Sequence, residues 1–183
     1  MTTTTSPLLE VQGLRTVFET RAGRVFAVDG VDVAVNPGEC LGVVGESGSG
    51  KSVTFSSVMG LVRAPGRIDS GSVRFEGRDL RALSPQDMRK IRGRDIAMTM
   101  QDALTALNPA LTVGEQILEV LFAHDETLPD GRMARRKAAR AKAVEMLELV
   151  GIASAGDRLK YYPHEFSGGM RQRIMIAIAL ACR

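Results

Sequence analysis

Eight residues constrain this chain more than any others: Gly45-Glu46-Ser47-Gly48-Ser49-Gly50-Lys51-Ser52, a glycine, four variable residues and then Gly-Lys-Ser. Glycines here let successive backbone N–H groups turn inward around an anion, where a Cβ would intrude. A helix opening at Lys51 adds the partial positive charge of its first turn. The Lys51 ammonium reaches the β- and γ-phosphates of a nucleotide, and the Ser52 hydroxyl is placed to hold Mg²⁺. Val53 continues the same first turn. The flanking pattern supports this reading. Asn36-Pro37-Gly38 is a turn signal, Cys40 to Val44 reads as a short strand buried on both faces, and a helix is predicted from Lys51 to about Leu61.

Elsewhere the periodicity alternates between strand and helix. Leu8 to Val35 is Val-rich and alternating, broken at Gly13, Arg21 to Arg24 and Gly30, which predicts a β-meander. Strands are also predicted at Ser72 to Phe75 and Ile96 to Met100. Helices are predicted at Pro85 to Arg92 with Ser84 as N-cap, Thr112 to His124, Arg132 to Val150 with Gly151 as the stop, and Gly168 to the end.

Composition narrows the class. The 183 residues are 44% hydrophobic and 25% charged, which excludes a disordered or collagen-like chain. Lys and Arg number 24 against 21 acids, and a net charge of +3 is too small to make a phosphate-tracking surface. Cys40 and Cys182 lie in separate apolar runs and read as buried reduced thiols. Met98, Met100, Met170 and Met175 read as core filling. Arg132, Arg135, Arg136, Lys137, Arg140 and Lys142 form a basic run without an intervening acid, read as a solvated helix face. No signal peptide is expected in Met1 to Pro7, and Ile174 to Cys182 is too short an apolar run to span a membrane.

A second anion site stands at Ser167-Gly168-Gly169-Met170-Arg171-Gln172-Arg173. Ser167 caps a helix whose first N–H groups are left open by two glycines. The phosphate loop, Gln101 at a strand end and this Ser-Gly-Gly helix start, in that order, resemble the ATP-binding subunits of ABC transporters. The strings from Gln101 to Pro109 and from Tyr162 to Arg173 look like the dipeptide, oligopeptide and nickel importer subgroup.

The resemblance implies an α/β P-loop NTPase fold of the ABC nucleotide-binding type. It would have an antiparallel β-subdomain and phosphate-loop core over residues 8–101, and a helical subdomain carrying the signature over 102–182. It implies ATP and Mg²⁺ as ligands, with Lys51 and Gln101 catalytic, Gln101 beside Ser52 at the metal, and Phe18 or its rival Phe26 stacked on adenine. Ser167, Gly168, Gly169 and Met170 would contact ATP held by a second such subunit, head to tail. Two permease subunits and, through them, an extracytoplasmic solute-binding protein would complete the importer. The chain would then sit at the cytoplasmic face of the membrane, with no nucleic-acid partner.

Three departures carry expectations of their own. Ala103 stands where the family has Pro, and Met100 where an aromatic is common. The family's next element is a strand ending in Asp-Glu, followed later by a switch histidine. The sequence stops at Arg183 ahead of it, so an incomplete core, slow turnover by this chain alone and poor solubility from an open sheet edge are expected. The alternatives are a non-catalytic nucleotide-binding partner of an intact paralogue and a non-transport ABC ATPase of DNA maintenance. The latter is disfavoured because no sustained heptads separate the two motifs.

Overall fold

The computed structural model describes residues 6–100 and 106–182. They cluster into two compact units, Met1–Met88 and Arg89–Arg183. The boundary drawn from sequence between 101 and 102 borders residues outside those described.

The first unit is built on an antiparallel sheet in the order β2-β1-β3-β4, with β1 Leu9–Thr20, β2 Gly23–Val35, β3 Gly66–Phe75 and β4 Arg78–Asp79. β1 and β2 form a hairpin from Leu9↔Val35 to Thr20↔Gly23, turning at Arg21 and Ala22. β3 then pairs with β1, not β2, from Leu9↔Phe75 to Phe18↔Gly66, so β1 is central. The glycines that read as strand breaks are bulges within continuous strands. Register shifts flank Gly13, whose φ is +57°, and its N–H donates to Asp32 Oδ1 at 2.6 Å. Gly71, with φ +94°, faces it across β3; a Cβ there would lie 2.6 Å from the Gly13 carbonyl oxygen. This is why β3 extends well before the predicted Ser72.

Helix α1, Lys51–Val58, lies against this sheet. Thr16 and Ser57, both buried, share a hydroxyl hydrogen bond of 2.8 Å, so their polar atoms are satisfied where α1 meets β1. Val11, Leu14, Val17, Val28, Val58 and Val73 are buried beside them. Helix α2, Pro85–Ile91, begins as predicted: Ser84 Oγ accepts the Asp87 N–H at 3.2 Å.

The second unit is helical: α3 Val113–His124, α4 Arg132–Leu149, α5 Ala155–Arg158, a 3₁₀ turn at Pro163–Glu165, and α6 Gly168–Leu180. Val113, Ile117 and Leu121 of α3, Ala139, Ala143 and Leu147 of α4, and Ile174 and Ala177 of α6 are fully buried. The three- and four-residue spacing puts each set on one face, and the alanines let the α4 backbone approach its neighbours. α3 starts at a capping box: Glu115 N–H donates to Thr112 Oγ1 at 3.2 Å, and Thr112 N–H donates to Glu115 Oε2 at 2.8 Å. Val113 and Gly114 N–H groups donate to the carbonyls of Tyr161 and Leu159 at 2.9 and 2.8 Å. A Cβ on Gly114 would stand 2.6 Å from the Leu159 oxygen, so the contact requires glycine.

Several predicted features are corrected. Cys40 to Val44 is irregular and exposed, with Val44 97% exposed, and Cys40 is an exposed thiol rather than a buried one. Ile96 to Met100 forms no strand beyond one isolated bridge, Arg92↔Ile96, and Met100 is exposed, not core. An apolar run becomes a strand only where a neighbour accepts and donates its backbone hydrogen bonds, and among the described residues no strand pairs with either segment. α1 ends at Val58 rather than Leu61. The basic run is not merely a solvated face. Arg135 donates to the Phe122 carbonyl and lies over its ring, Arg140 donates to the Gly156 carbonyl, and Lys142 pairs with Asp125.

Two buried polar groups yield predictions. Gln116 accepts from Asn108 N–H at 2.9 Å and donates to the Asn108 and Leu111 carbonyls at 3.0 and 3.1 Å. Gln116→Leu orphans all three backbone groups, and urea unfolding is expected to show a loss of about 1–3 kcal/mol; an unchanged midpoint would contradict this. Burial pushes the Asp125 carboxyl up, but Lys142 Nζ at 2.6 Å and the Thr127 hydroxyl and N–H outweigh it and hold it below the ordinary value of 3.8. The folded form therefore holds this proton less tightly than the unfolded chain does. Stability from the pair is full above pH 3.8 and is lost as pH falls below it. Asp125→Asn is expected to flatten that acid limb of the melting profile, whereas an unaltered limb would assign the acid loss to other groups.

Candidate functional site

The phosphate loop owes its shape to the two glycines that flank Ser49. Gly48 and Gly50 have φ of +82° and +90°, a region side chains disfavour. At Gly50 a Cβ would also lie 2.2 Å from the Ala27 carbonyl oxygen of β2, so the loop can close against the sheet only without one. A Cβ on Gly45 would lie 2.9 Å from Ser49 Oγ, a contact that rotation of the serine side chain can relieve. The Ser49 N–H donates to the Glu46 carbonyl at 3.2 Å, which folds the loop back on itself.

Lys51 opens α1 with Gly50 as its N-cap, and no acidic residue lies in the first turn. Its Nζ donates to the carbonyls of Gly45 and Glu46, both at 2.6 Å, and to Ser49 Oγ at 3.1 Å. The ammonium is thus held at the mouth of the loop, over the region toward which the helix N-terminus contributes positive potential. Ser47 and Ser52 are exposed, with Ser52 in the first turn, and Val53 is half-buried behind it. An ammonium, a helix N-terminus and glycines at the points where a Cβ would collide together fit a polyphosphate, and the exposed Ser52 hydroxyl fits its Mg²⁺.

Phe18 follows Thr16 on the face of β1 that carries α1. It is half-buried, opposite Val25, and its ring lies over Gly66; a Cβ at Gly66 would be 2.6 Å from the Phe18 Cε1. Phe26 is 48% exposed and pairs with Val17. Gln101 lies outside the described residues.

In the second unit, Ser167 caps α6. Its extended backbone, φ −64° and ψ 161°, brings Oγ to accept from Met170 N–H at 3.4 Å. Gly168 and Gly169 are exposed, and a Cβ on either would meet nothing within 4 Å, so the start of α6 is sterically open. Met170 is half-buried against the helical core. Phe166, immediately before the cap, is buried and lies 6.1 Å from the Tyr161 ring, anchoring the segment.

Sequence reasoning missed the supports of these sites. Gly66, which no motif singles out, makes room for Phe18. The Arg171 Nε is buried without a hydrogen-bond partner among the described residues, and Arg173 Nη1 donates to the Gly151 carbonyl at 3.3 Å. The spacing of Tyr162 and Glu165, three residues apart just before Ser167, was the one readable signal of a local clamp. Among the described residues no group of His, Cys, Asp and Glu could hold a metal ion, and no helix is long and apolar enough to cross a membrane.

Comparison with known proteins places this geometry in a family. The pattern of the ABC transporter family matches residues 28–183. The oligopeptide transport ATP-binding protein AppD of Bacillus subtilis is 49% identical over 178 residues, covering 97% of this chain and 52% of the relative. The dipeptide transport ATP-binding protein DppD of the same organism is 50% identical over 176 residues, covering 96% and 50%. The chain thus spans about half the length of the curated relatives it matches. Among solved structures, the dimeric bacterial ABC transporter cassette MJ0796 superposes with a TM-score of 0.79 at 25% identity, covering 95% of this chain and 69% of that one. MJ0796 in its post-hydrolysis dimer, bound to ADP and Pi, gives 0.76 at 26% identity over the same shares. With two glycine-opened helix starts in the expected order and these matches along nearly its whole length, the chain belongs to the ABC transporter family and shares its ATPase cassette fold.

Proposed function

We propose that this chain binds MgATP and serves as part of the ATP-binding subunit of an importer for peptides or a related small solute. The observation that carries the reading is the phosphate loop, with Lys51 Nζ fixed at its mouth by three hydrogen bonds and Gly50 closed onto Ala27. The names of the relatives, oligopeptide and dipeptide transport ATP-binding proteins, supply the solute class.

In this reading the loop N–H groups from Gly45 to Ser52 receive the phosphates, and Lys51 neutralises the charge on the outer two. Ser52, with Gln101, would hold Mg²⁺, which would supply charge neutralisation at the phosphates. Phe18 offers a flat apolar face to adenine, with Phe26 as the other candidate. Ser167, Gly168, Gly169 and Met170 face the nucleotide of a second subunit. One half-site leaves one side of a triphosphate in water, so two copies meeting head to tail enclose what neither encloses alone. Residues 8–101 then act as the nucleotide-binding part and 102–182 as the arm that carries the signature. The subunit works at the cytoplasmic face of the membrane through two permease subunits, supplied by an external solute-binding protein.

The test is MgATP binding to the purified chain. Lys51→Ala is expected to weaken affinity at least about tenfold, since it removes a full charge from the phosphates. Gly50→Ala is expected to abolish binding, because its Cβ would collide with the Ala27 oxygen at a φ of +90°. Binding that survives both substitutions would overturn the reading. In cells, loss of the intact subunit is expected to abolish uptake of a labelled peptide, and undiminished uptake would exclude peptide as the cargo.

A further inference from the structure

We infer that Glu165 is a positioning residue for Ser167: its carboxylate closes the loop that aims the signature toward a partner's nucleotide, and it does so as a hydrogen-bond acceptor rather than as a charge. The inference rests on the reading above, in which Ser167 meets ATP in trans.

The loop is fastened at both ends and closed by Glu165 in between. Upstream, the Leu159 and Tyr161 carbonyls are tied to the first N–H groups of α3 at 2.8 and 2.9 Å. Downstream, α6 begins at Gly168. Between them, Tyr162 N–H donates to Glu165 Oε2 at 2.7 Å, while Glu165 N–H donates to the Tyr162 carbonyl at 3.0 Å. This reciprocal pair closes the 3₁₀ turn Pro163–Glu165 and directs Phe166 into the core, where it is 4% exposed. The next residue is Ser167. Its extended backbone and the direction of its Oγ follow from where the turn releases the chain.

A charge role would be poorly served here. Glu165 is exposed, and a carboxylate two residues from an anion-receiving serine repels phosphate. As an aid to the α6 dipole it would be expected near that helix's own N–H groups, but its bond goes back to Tyr162. What remains is the acceptor oxygen.

Two substitutions separate the roles, because both remove the charge and only one keeps an acceptor. The measurement is MgATP-driven association of the 183-residue chain by sedimentation velocity, beside the ATP affinity of the dilute chain. Glu165→Gln is expected to associate as well as the parent, or better at low salt. Glu165→Ala is expected to associate about tenfold more weakly, with its ATP affinity in the dilute state unchanged, since the phosphate loop lies in the other unit. Equal behaviour of the two variants would overturn the inference in favour of a charge effect, and parent-like association of Glu165→Ala would overturn it outright. If Glu165→Ala instead loses dilute-state ATP affinity and melts lower, the residue serves general stability and the inference fails. If the parent binds ATP but never associates, the paired-cassette reading itself fails and takes this inference with it.

Discussion

The contact between Gly50 and the Ala27 carbonyl is the constraint on which the nucleotide-binding part of this molecule depends. With 2.2 Å between a hypothetical Cβ and that oxygen, no other residue lets α1 begin where it does. Because α1 begins there, its N-terminus and the Lys51 ammonium point at the same loop, and Ser57 reaches Thr16 on the central strand. The sheet therefore aims the helix, and the helix supplies the charge. The bulges at Gly13 and Gly71 belong to the same design, since they let β1 and β3 pair continuously along the strand that carries Thr16 and Phe18.

The helical unit solves a different problem with similar means. α6 must present open N–H groups to solvent while its far side is buried, so its start is polar and glycine-rich and its interior carries Ile174 and Ala177 in the core. Small residues set the spacing again: Ala139 and Ala143 on α4, and Gly114 against Leu159, bring the backbones close. The space beside the signature's two glycines is open, and the segment is anchored by the turn that precedes it and by the buried ring of Phe166. A rigid base under an open surface is what the proposed binding in trans would require.

Much of this was legible in the residues. The Gly-Lys-Ser string gave the loop, Ser84 and Ser167 each gave a cap, and Gly151 gave the end of α4, because these are local arrangements fixed by the residues involved. What failed was non-local. Cys40 to Val44 and Ile96 to Met100 have strand composition, but a strand exists only with partners, and none pairs with them among the described residues. The pairing of β3 with β1 rather than β2 is likewise a choice made between distant segments. Gly66 under Phe18, and the three bonds of Gln116 to the Asn108 and Leu111 backbone, are tertiary supports with no period or motif to announce them. The basic run of α4 read as solvated because its acids lie elsewhere: the partner of Lys142 is Asp125, seventeen residues earlier.

The central claim is that backbone N–H groups of the 45–52 loop receive nucleotide phosphates. It is tested most directly by two-dimensional amide NMR of the 19.7 kDa chain during titration with Mg²⁺ and ATP, ADP or adenosine. The account predicts that the amides of Gly48, Gly50, Lys51 and Ser52 shift strongly downfield with ATP and ADP and stay in place with adenosine. Shifts of equal size with adenosine, or shifts centred away from this loop, would contradict it.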